Sequence, residues 1–326
     1  MPIRAFKQID VFTATPYLGN PLAVVLDGSG LSDAAMQHFA HWTNLSETSF
    51  VLPPTEAGRA AGADYRVRIF TPGAELPFAG HPTLGTCHAW LEAGGTPRAS
   101  GAAGGTPRHE EVIVQECGVG LVRIRRRGHR LAFAAPAVQR STPGPALLAE
   151  VAGALGLKAP QILAAQLLDN GPVWLGLLLD SPNTVLALDP DHARLKELGQ
   201  KVGVASVNRS QDAIQLIARS SREARSFAGH DAPASPEPDL VVRAFAAPLG
   251  VNEDPVTGSL NASLAQWLIA DGHLPERYLA GQGACLGRAG RVHIDCDAPG
   301  QPASTGSGQV WVGGDSVTCI NGTVTV

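Results

Sequence analysis

Three short stretches carry residue types able to grip an anion and move a proton. The richest is Glu253-Asp254-Pro255-Val256-Thr257-Gly258-Ser259, where two adjacent carboxylates meet a proline and a Thr-Gly-Ser turn opens an apolar run through Leu264, Trp267 and Leu268. The spacing of that run predicts a helix, and the first N–H groups of a helix have no partner within it, which favours an anion there. A second glycine-opened helix is expected from Gly80-His81-Pro82-Thr83 to about Ala93. The third stretch, Asn44-Leu45-Ser46-Glu47-Thr48, enters the apolar strand Phe50-Val51-Leu52 and leaves Glu47 at a helix-to-strand junction.

Each polar residue in these stretches suits a step of acid–base chemistry. A carboxyl at Glu47 is partly desolvated, which disfavours its charged form and fits a general acid or base. His81, at a helix start, is expected to stay neutral because the helix dipole opposes a proton on the ring. Asp254 is held extended by the proline that follows it, and can orient His81 or carry a second proton. Gly80, Gly258 and Ser259 offer backbone N–H groups, and Ser259 a hydroxyl as well. Each also has a plain structural use: a strand-edge glutamate, a loop-capping histidine, a turn aspartate, a helix-capping serine.

The elements that must position these residues follow from the hydrophobic period. Strands are expected from residue 3 to Phe12 and over Leu22–Leu26, Tyr65–Phe70, Val173–Leu179, Ala213–Ala218 and Val241–Phe245. Helices are expected after Ser32, over Pro143–Gly156 and over Pro190–Val202, and short strands fill Val112–Phe133 and Tyr278–Val326. Residues 54–63, Gly94–Glu110 and Arg222–Asp239 read as loops.

An internal repeat ties the stretches together. Arg68-Ile69-Phe70 and Arg243-Ala244-Phe245 each end a strand, followed by a proline-containing loop and a glycine-opened helix. The two helices carry Trp90-Leu91-Glu92-Ala93 and Trp267-Leu268-Ile269-Ala270, and Pro21 and Pro172 each open an apolar strand. Duplicated halves packed face to face would bring both helix starts to one cleft, a dense set of N–H donors suited to a carboxylate or an enediolate-like oxyanion.

Composition excludes several classes. A chain of 326 residues can bury a real core, and 37 Gly with 25 Pro imply many turns and short elements. The net charge of −4 gives no global attraction to nucleic acid, and the basic stretch Arg123–Arg130 reads as a solvated strand pair. Five scattered cysteines with no CxxC pair argue against a disulfide scaffold or zinc, and for a reducing compartment. With no signal core and no membrane-length run, the protein is expected to be soluble and cytoplasmic, with no membrane partner. There is no GxGxxG in a strand–helix context, no P-loop, no HExxH and no GxSxG elbow, so no cofactor and no metal are expected, and proton transfer by side chains is the natural chemistry.

Asp10-Val11-Phe12, Gly19-Asn20-Pro21-Leu22-Ala23-Val24, Asn44-Leu45-Ser46-Glu47-Thr48, Phe70-Thr71-Pro72, Gly80-His81-Pro82-Thr83 and Glu253-Asp254-Pro255-Val256-Thr257-Gly258-Ser259 together resemble the phenazine-biosynthesis PhzF family through nearly the whole chain. A Gly/Ala-rich insertion near residues 95–110 and the Pro-rich loop before Asp239 depart from it without touching a motif. The resemblance implies the diaminopimelate-epimerase-like fold, α/β (α+β), with two pseudo-symmetric halves, each a curled sheet around a central helix. The halves are expected over residues 1–128 and 129–313, with the last strand, 314–326, returning to the first. It further implies that the glutamate matching Glu47 shuttles a proton between carbons of a dihydro-hydroxyanthranilate ring without metal or cofactor. His81, Asp254 and Ser259 match supporting positions and Gly80 a substrate-contacting backbone; a homodimer is also implied.

Two other readings compete. One is a two-base racemase or epimerase of a small amino or hydroxy acid, a chemistry that resembles a pair of cysteines facing each other at the helix starts. This chain has Glu47 (on a neighbouring strand), His81 and Asp254 there, with Cys87 well inside its helix. The other is a small-acid-binding module without turnover.

Overall fold

The computed structural model describes residues 2–98, 111–208, 236–297 and 308–326. The expected strand Ala213–Ala218 and most of the expected loops Gly94–Glu110 and Arg222–Asp239 lie outside the described residues.

Strand formation follows side-chain alternation. In Tyr65–Phe70 the side chains of Tyr65, Val67 and Ile69 are buried while Arg66 and Arg68 are half-buried on the other face. Ile3–Val11 pairs antiparallel with Asn20–Val25, which pairs parallel with Glu47–Leu52. Glu47–Leu52 is antiparallel to Tyr65–Phe70, and Tyr65–Phe70 is parallel to Glu111–Cys117. Hairpins then lead to Gly120–Arg127 and Arg130–Ala134.

A second series repeats these pairings step for step. Ile162–Asp169 is antiparallel to Val173–Leu179, which is parallel to Val202–Val207. Val202–Val207 is antiparallel to Leu240–Ala246, which is parallel to Arg277–Gln282. Gly290–Cys296 and Val310–Gly314 complete the series. The two series join where Arg130–Ala134 pairs antiparallel with Val310–Gly314. At the far ends, Ser316–Thr325 pairs with Ile3–Val11 and Gln139–Ser141 with Ile162–Asp169.

Parallel neighbours need a crossover, and each series has two. The second crossover is in each case a 13-residue helix, Gly80–Glu92 or Gly258–Ala270. Leu84, Cys87 and Ala89 of the first, and Leu260, Leu264, Ala265, Trp267 and Leu268 of the second, belong to one continuous core. A helix apolar on nearly all sides must be enclosed, and the curled sheets enclose both. Two pseudo-symmetric halves, each a curled sheet around a central helix, form the expected architecture.

Several elements differ from the sequence reading. The helix expected over Pro190–Val202 is only His192–Glu197, capped by the Asp191 side chain on Arg194 N and closed by Gly199 at φ 64°. Beyond that stop, Val202–Val207 is a buried central strand whose apolar run the helical reading absorbed in part. The loop expected at residues 54–63 holds a short helix, Glu56–Ala60, capped by Thr55. Strand Ile162–Asp169 and helix Pro182–Ala187 carried no clear period and were not expected. The basic stretch does form a strand pair, with Arg125 bidentate on Asp297 and Arg127 on Asp295. Among the described residues no helix is long and apolar enough to cross a membrane.

The repeated tryptophans are not equivalent in burial. Trp267 is 1% exposed, whereas Trp90 is half-buried and stacks on Tyr65 with ring centroids 5.0 Å apart. Trp267→Ala is therefore expected to lower unfolding stability by about 3–5 kcal/mol, and Trp90→Ala by less. Urea unfolding curves of the two variants check this, and equal losses would contradict the difference in enclosure.

Candidate active site

The two central helices meet at their N-termini. A Cβ placed on Gly258 would lie 2.9 Å from Gly80 Cα, and one placed on Gly80 would lie 3.0 Å from Gly258 Cα and 2.9 Å from Phe133 Cζ. Only glycine at both positions permits this backbone-to-backbone approach. Neither helix start has a side-chain cap: Ala79 has no group to offer, and Thr257 turns its hydroxyl to Asp254 Oδ2 at 2.6 Å. The orphan N–H groups of both first turns, including those of Gly80, His81, Gly258 and Ser259, therefore remain for a ligand.

Ser259 is the second helical residue, so it is not the cap that its sequence position allowed. Its hydroxyl accepts from Trp174 Nε1 at 3.1 Å, which leaves its own proton free to donate. Asn170 Nδ2 donates to the Ser259 carbonyl at 3.0 Å.

Glu47 opens its strand beside the first helix start. Its Oε2 lies 3.2 Å from His81 Nε2, although the two atoms are not aligned as a hydrogen bond. The Glu47 side chain keeps 16% of its surface exposed, enough for a small molecule to reach, while His81 is 4% exposed. Asp254 ends the strand Val251–Asp254 and interacts with His81 through its charge, without a direct hydrogen bond or ion pair. Between them stands Asn20, whose Nδ2 donates to Asp254 Oδ1 at 2.9 Å and to the Val256 carbonyl at 3.0 Å, and lies 3.3 Å from His81 Nδ1. Any orientation of His81 by Asp254 is therefore indirect. Gln282 braces the same turn, donating to the Asp254 carbonyl and to Thr257 Oγ1 and accepting from Thr257 N.

Asn20, Thr257, Gln282 and Trp174 were not singled out from sequence. Asn20 read as part of a Gly-Asn-Pro turn, and the others gave no signal beyond ordinary core or turn residues. Glu253, the neighbour of Asp254, is structural: it forms a bidentate pair with Arg243 at 3.0 and 2.8 Å, each side chain 6% exposed. Arg243 also donates to the Val185 and Leu188 carbonyls, so its charge is fully engaged. The first half has the same clamp in Arg68 and Glu75, more exposed and shared with Asp33.

Burial governs protonation here. It pushes Glu47 up to about 7, against a smaller lowering by Ser46. Asp254 rises to about 6 through burial and then the Glu47 charge, opposed by His81, Thr257 and Asn20. His81 falls to about 4 through burial, opposed by Asp254 and Asp10. The expected neutral imidazole thus has burial as its leading cause, where the sequence reading invoked the helix dipole. Among the described residues, no lysine or arginine is a cause of any of the three shifts. Such a site can hold a proton on Glu47 near neutrality, lend a neutral N–H from His81, and bind a carboxylate at the helix starts. Among the described residues no three His, Cys, Asp or Glu side chains are grouped to hold a metal ion.

Two outcomes follow for stability. A carboxyl raised from 4.5 to about 7 favours folding fully below its unfolded value, and that contribution is lost as pH rises through about 7. Glu47→Gln, which never ionises, should gain stability relative to wild type between pH 4 and pH 8, by roughly 1–3 kcal/mol. Denaturant midpoints at the two pH values measure this, and a pH-independent difference would contradict the buried charge. Gly258→Ala should cost about 1–3 kcal/mol through its clash with Gly80, whereas a neutral substitution would mean that the helix starts are not in contact.

Comparison with known proteins identifies the family and the fold. The family profile PhzC-PhzF, phenazine biosynthesis-like protein, matches residues 9–322. Antisense-enhancing sequence 1 of Schizosaccharomyces pombe is 34% identical, with 99% of each chain covered. Trans-2,3-dihydro-3-hydroxyanthranilate isomerase of Pseudomonas aeruginosa is 30% identical over 93% of this chain and 94% of its own. Among solved structures, a PhzF-family phenazine biosynthesis protein of Bacillus anthracis superposes with a TM-score of 0.77 at 21% identity, covering 100% of both chains. A probable proline racemase from Agrobacterium radiobacter shares the fold at a TM-score of 0.57 and 14% identity, with 99% of this chain and 92% of that one covered. The chain is a member of the PhzF isomerase family.

Proposed function

We propose that this protein is a cofactor-independent isomerase that moves a proton on a small unsaturated carboxylate by general acid–base catalysis. The observation that carries the reading is a carboxyl poised near pH 7, Glu47, standing 3.2 Å from a neutral His81 beside two uncapped helix starts that meet at Gly80 and Gly258. The substrate carboxylate binds to the N–H groups of those first turns, with Ser259 Oγ as a further donor. Glu47, as carboxylate, takes a proton from one carbon of the substrate, and the electron pair left behind delocalises toward the bound carboxylate. Glu47 exchanges its captured proton with solvent through its exposed edge and delivers a proton to another carbon, so that the product is an isomer and nothing is consumed. His81 donates from its neutral ring to the charge that develops, and Asp254 serves as the second proton carrier.

The name of the Pseudomonas aeruginosa relative makes a dihydro-hydroxyanthranilate the first substrate to test. The two-thiol racemase chemistry finds no support in the thiol at Cys87: it is buried inside the first central helix, and burial pushes it up to about 12. We place the enzyme in the cytoplasm as a soluble homodimer, on family resemblance and cysteine usage, with light scattering as the test of its mass.

Incubation in D₂O with dihydro-hydroxyanthranilate and a panel of small unsaturated acids tests the reading. Wild type should catalyse deuterium uptake into carbon, and Glu47→Gln should be slower by about 10²–10⁴-fold. Uptake at equal rates in both proteins would remove Glu47 from the role. Tight binding of an acid without exchange would instead favour a binding module.

A further inference from the structure

Asn20 joins the two halves of the molecule. It belongs to the strand Asn20–Val25 of the first series, yet its amide reaches Asp254 and Val256, more than 200 residues away in the chain, and it is fully buried. Its orientation has one solution. Asp254 Oδ1 and the Val256 carbonyl are both acceptors, at 2.9 and 3.0 Å, so the NH₂ end must face them and the oxygen must face away. That same NH₂ lies 3.3 Å from His81 Nδ1. A proton on Nδ1 would set donor against donor in a buried place, which is costly because neither could turn to water.

We infer that Asn20 is the positioning residue of this site: its amide, locked by Asp254 and the Val256 carbonyl, keeps His81 Nδ1 bare and so places the imidazole proton on Nε2, facing Glu47. Nδ1 then turns a lone pair toward the Asn20 amide, whose protons are directed to Asp254 Oδ1 and the Val256 carbonyl, and Nε2–H lies on the Glu47 side, 3.2 Å from Oε2 and able to align with it by a small rotation. The opposite tautomer sets a donor against the Asn20 amide and, when Glu47 is a carboxylate, a lone pair against it. An imidazolium would meet the same clash at Nδ1, which agrees with the depressed basicity of His81 that burial already imposes. Among the described residues, the charged groups that bear on the ring, Asp254, Asp10 and Glu47, are all acidic, and their attraction for a second proton is what the Asn20 amide opposes.

The consequence for catalysis rests on the acid–base reading above, but the tautomer is read without substrate. Long-range ¹H–¹⁵N correlation spectra of ¹⁵N-histidine-labelled protein, with the His81 signals identified through His81→Gln, report which ring nitrogen carries the proton. Wild type should show the Nε2–H form in at least about tenfold excess. In Asn20→Leu, similar in size but without a donor, that excess should fall several-fold and Nδ1–H signals should appear. Should the leucine variant fail to fold, Asn20→Ser, too short to reach Nδ1, carries the same expectation. An Nδ1–H ring in wild type, or an unchanged tautomer ratio in the folded variant, would overturn the assignment. An Nε2–H ring in a protein that exchanges no deuterium would leave it standing and remove only the proposed activity.

Discussion

The contact between Gly80 and Gly258 is the constraint to which the rest of the site is fitted. Two helix N-termini, each carrying partial positive charge and unclaimed N–H groups, are pressed together where the two curled sheets meet. Like ends of two dipoles do not attract, so the approach is imposed by the enclosing sheets. Those sheets bury Leu84 and Cys87 of one helix, and Leu260, Leu264 and Trp267 of the other, in a single core. An anion placed at the junction would relieve both ends at once, and this is the electrostatic basis of the carboxylate binding we propose.

Protonation in the site follows from what is kept out of it. Arg68 and Arg243 lie in the strands that lead to the two helix starts, but each is spent on its own glutamate, Glu75 or Glu253. With those cations engaged elsewhere, burial is the leading influence on Glu47, Asp254 and His81, and it drives all three toward their neutral forms. A carboxyl that releases its proton only near neutrality is able both to take and to return one. The polar atoms around Asp254 are connected through Asn20, Thr257 and Gln282, so that half-buried group is held by hydrogen bonds and needs no ion pair.

The repeat explains the layout, and its divergence sets the side chains on which the proposed chemistry rests. Each half supplies a helix start, an arginine–glutamate clamp before it, and an asparagine near the proline that opens a strand. Asn20 precedes Pro21 and reaches Asp254; Asn170 lies two residues before Pro172 and holds the Ser259 carbonyl. The halves then part. One brings Glu47 and His81 to the junction, the other Asp254 and Ser259, so a symmetric scaffold carries an asymmetric set of proton donors and acceptors.

Much of this was legible in the amino-acid order, because it depends on local signals. Alternation in Tyr65–Phe70, the apolar spacing of Gly258–Ala270, and the paired Trp-Leu motifs disclose strands, helices and the duplication. Local signals failed where a neighbour overrode them. The helix expected to run to Val202 stops at Gly199, and Val202–Val207, unassigned beyond its first residue, is set in the sheet by its flanking strands. Asn20 passed for a turn residue because its partners lie in the other half of the chain. The types and order of Glu47, His81, Asp254 and Ser259 are properties of the sequence. Their mutual distances, the cause of their protonation, and the separation of His81 from Asp254 by Asn20 arise only when two sheets close around two helices, since burial and cross-half hydrogen bonds exist only in the folded molecule.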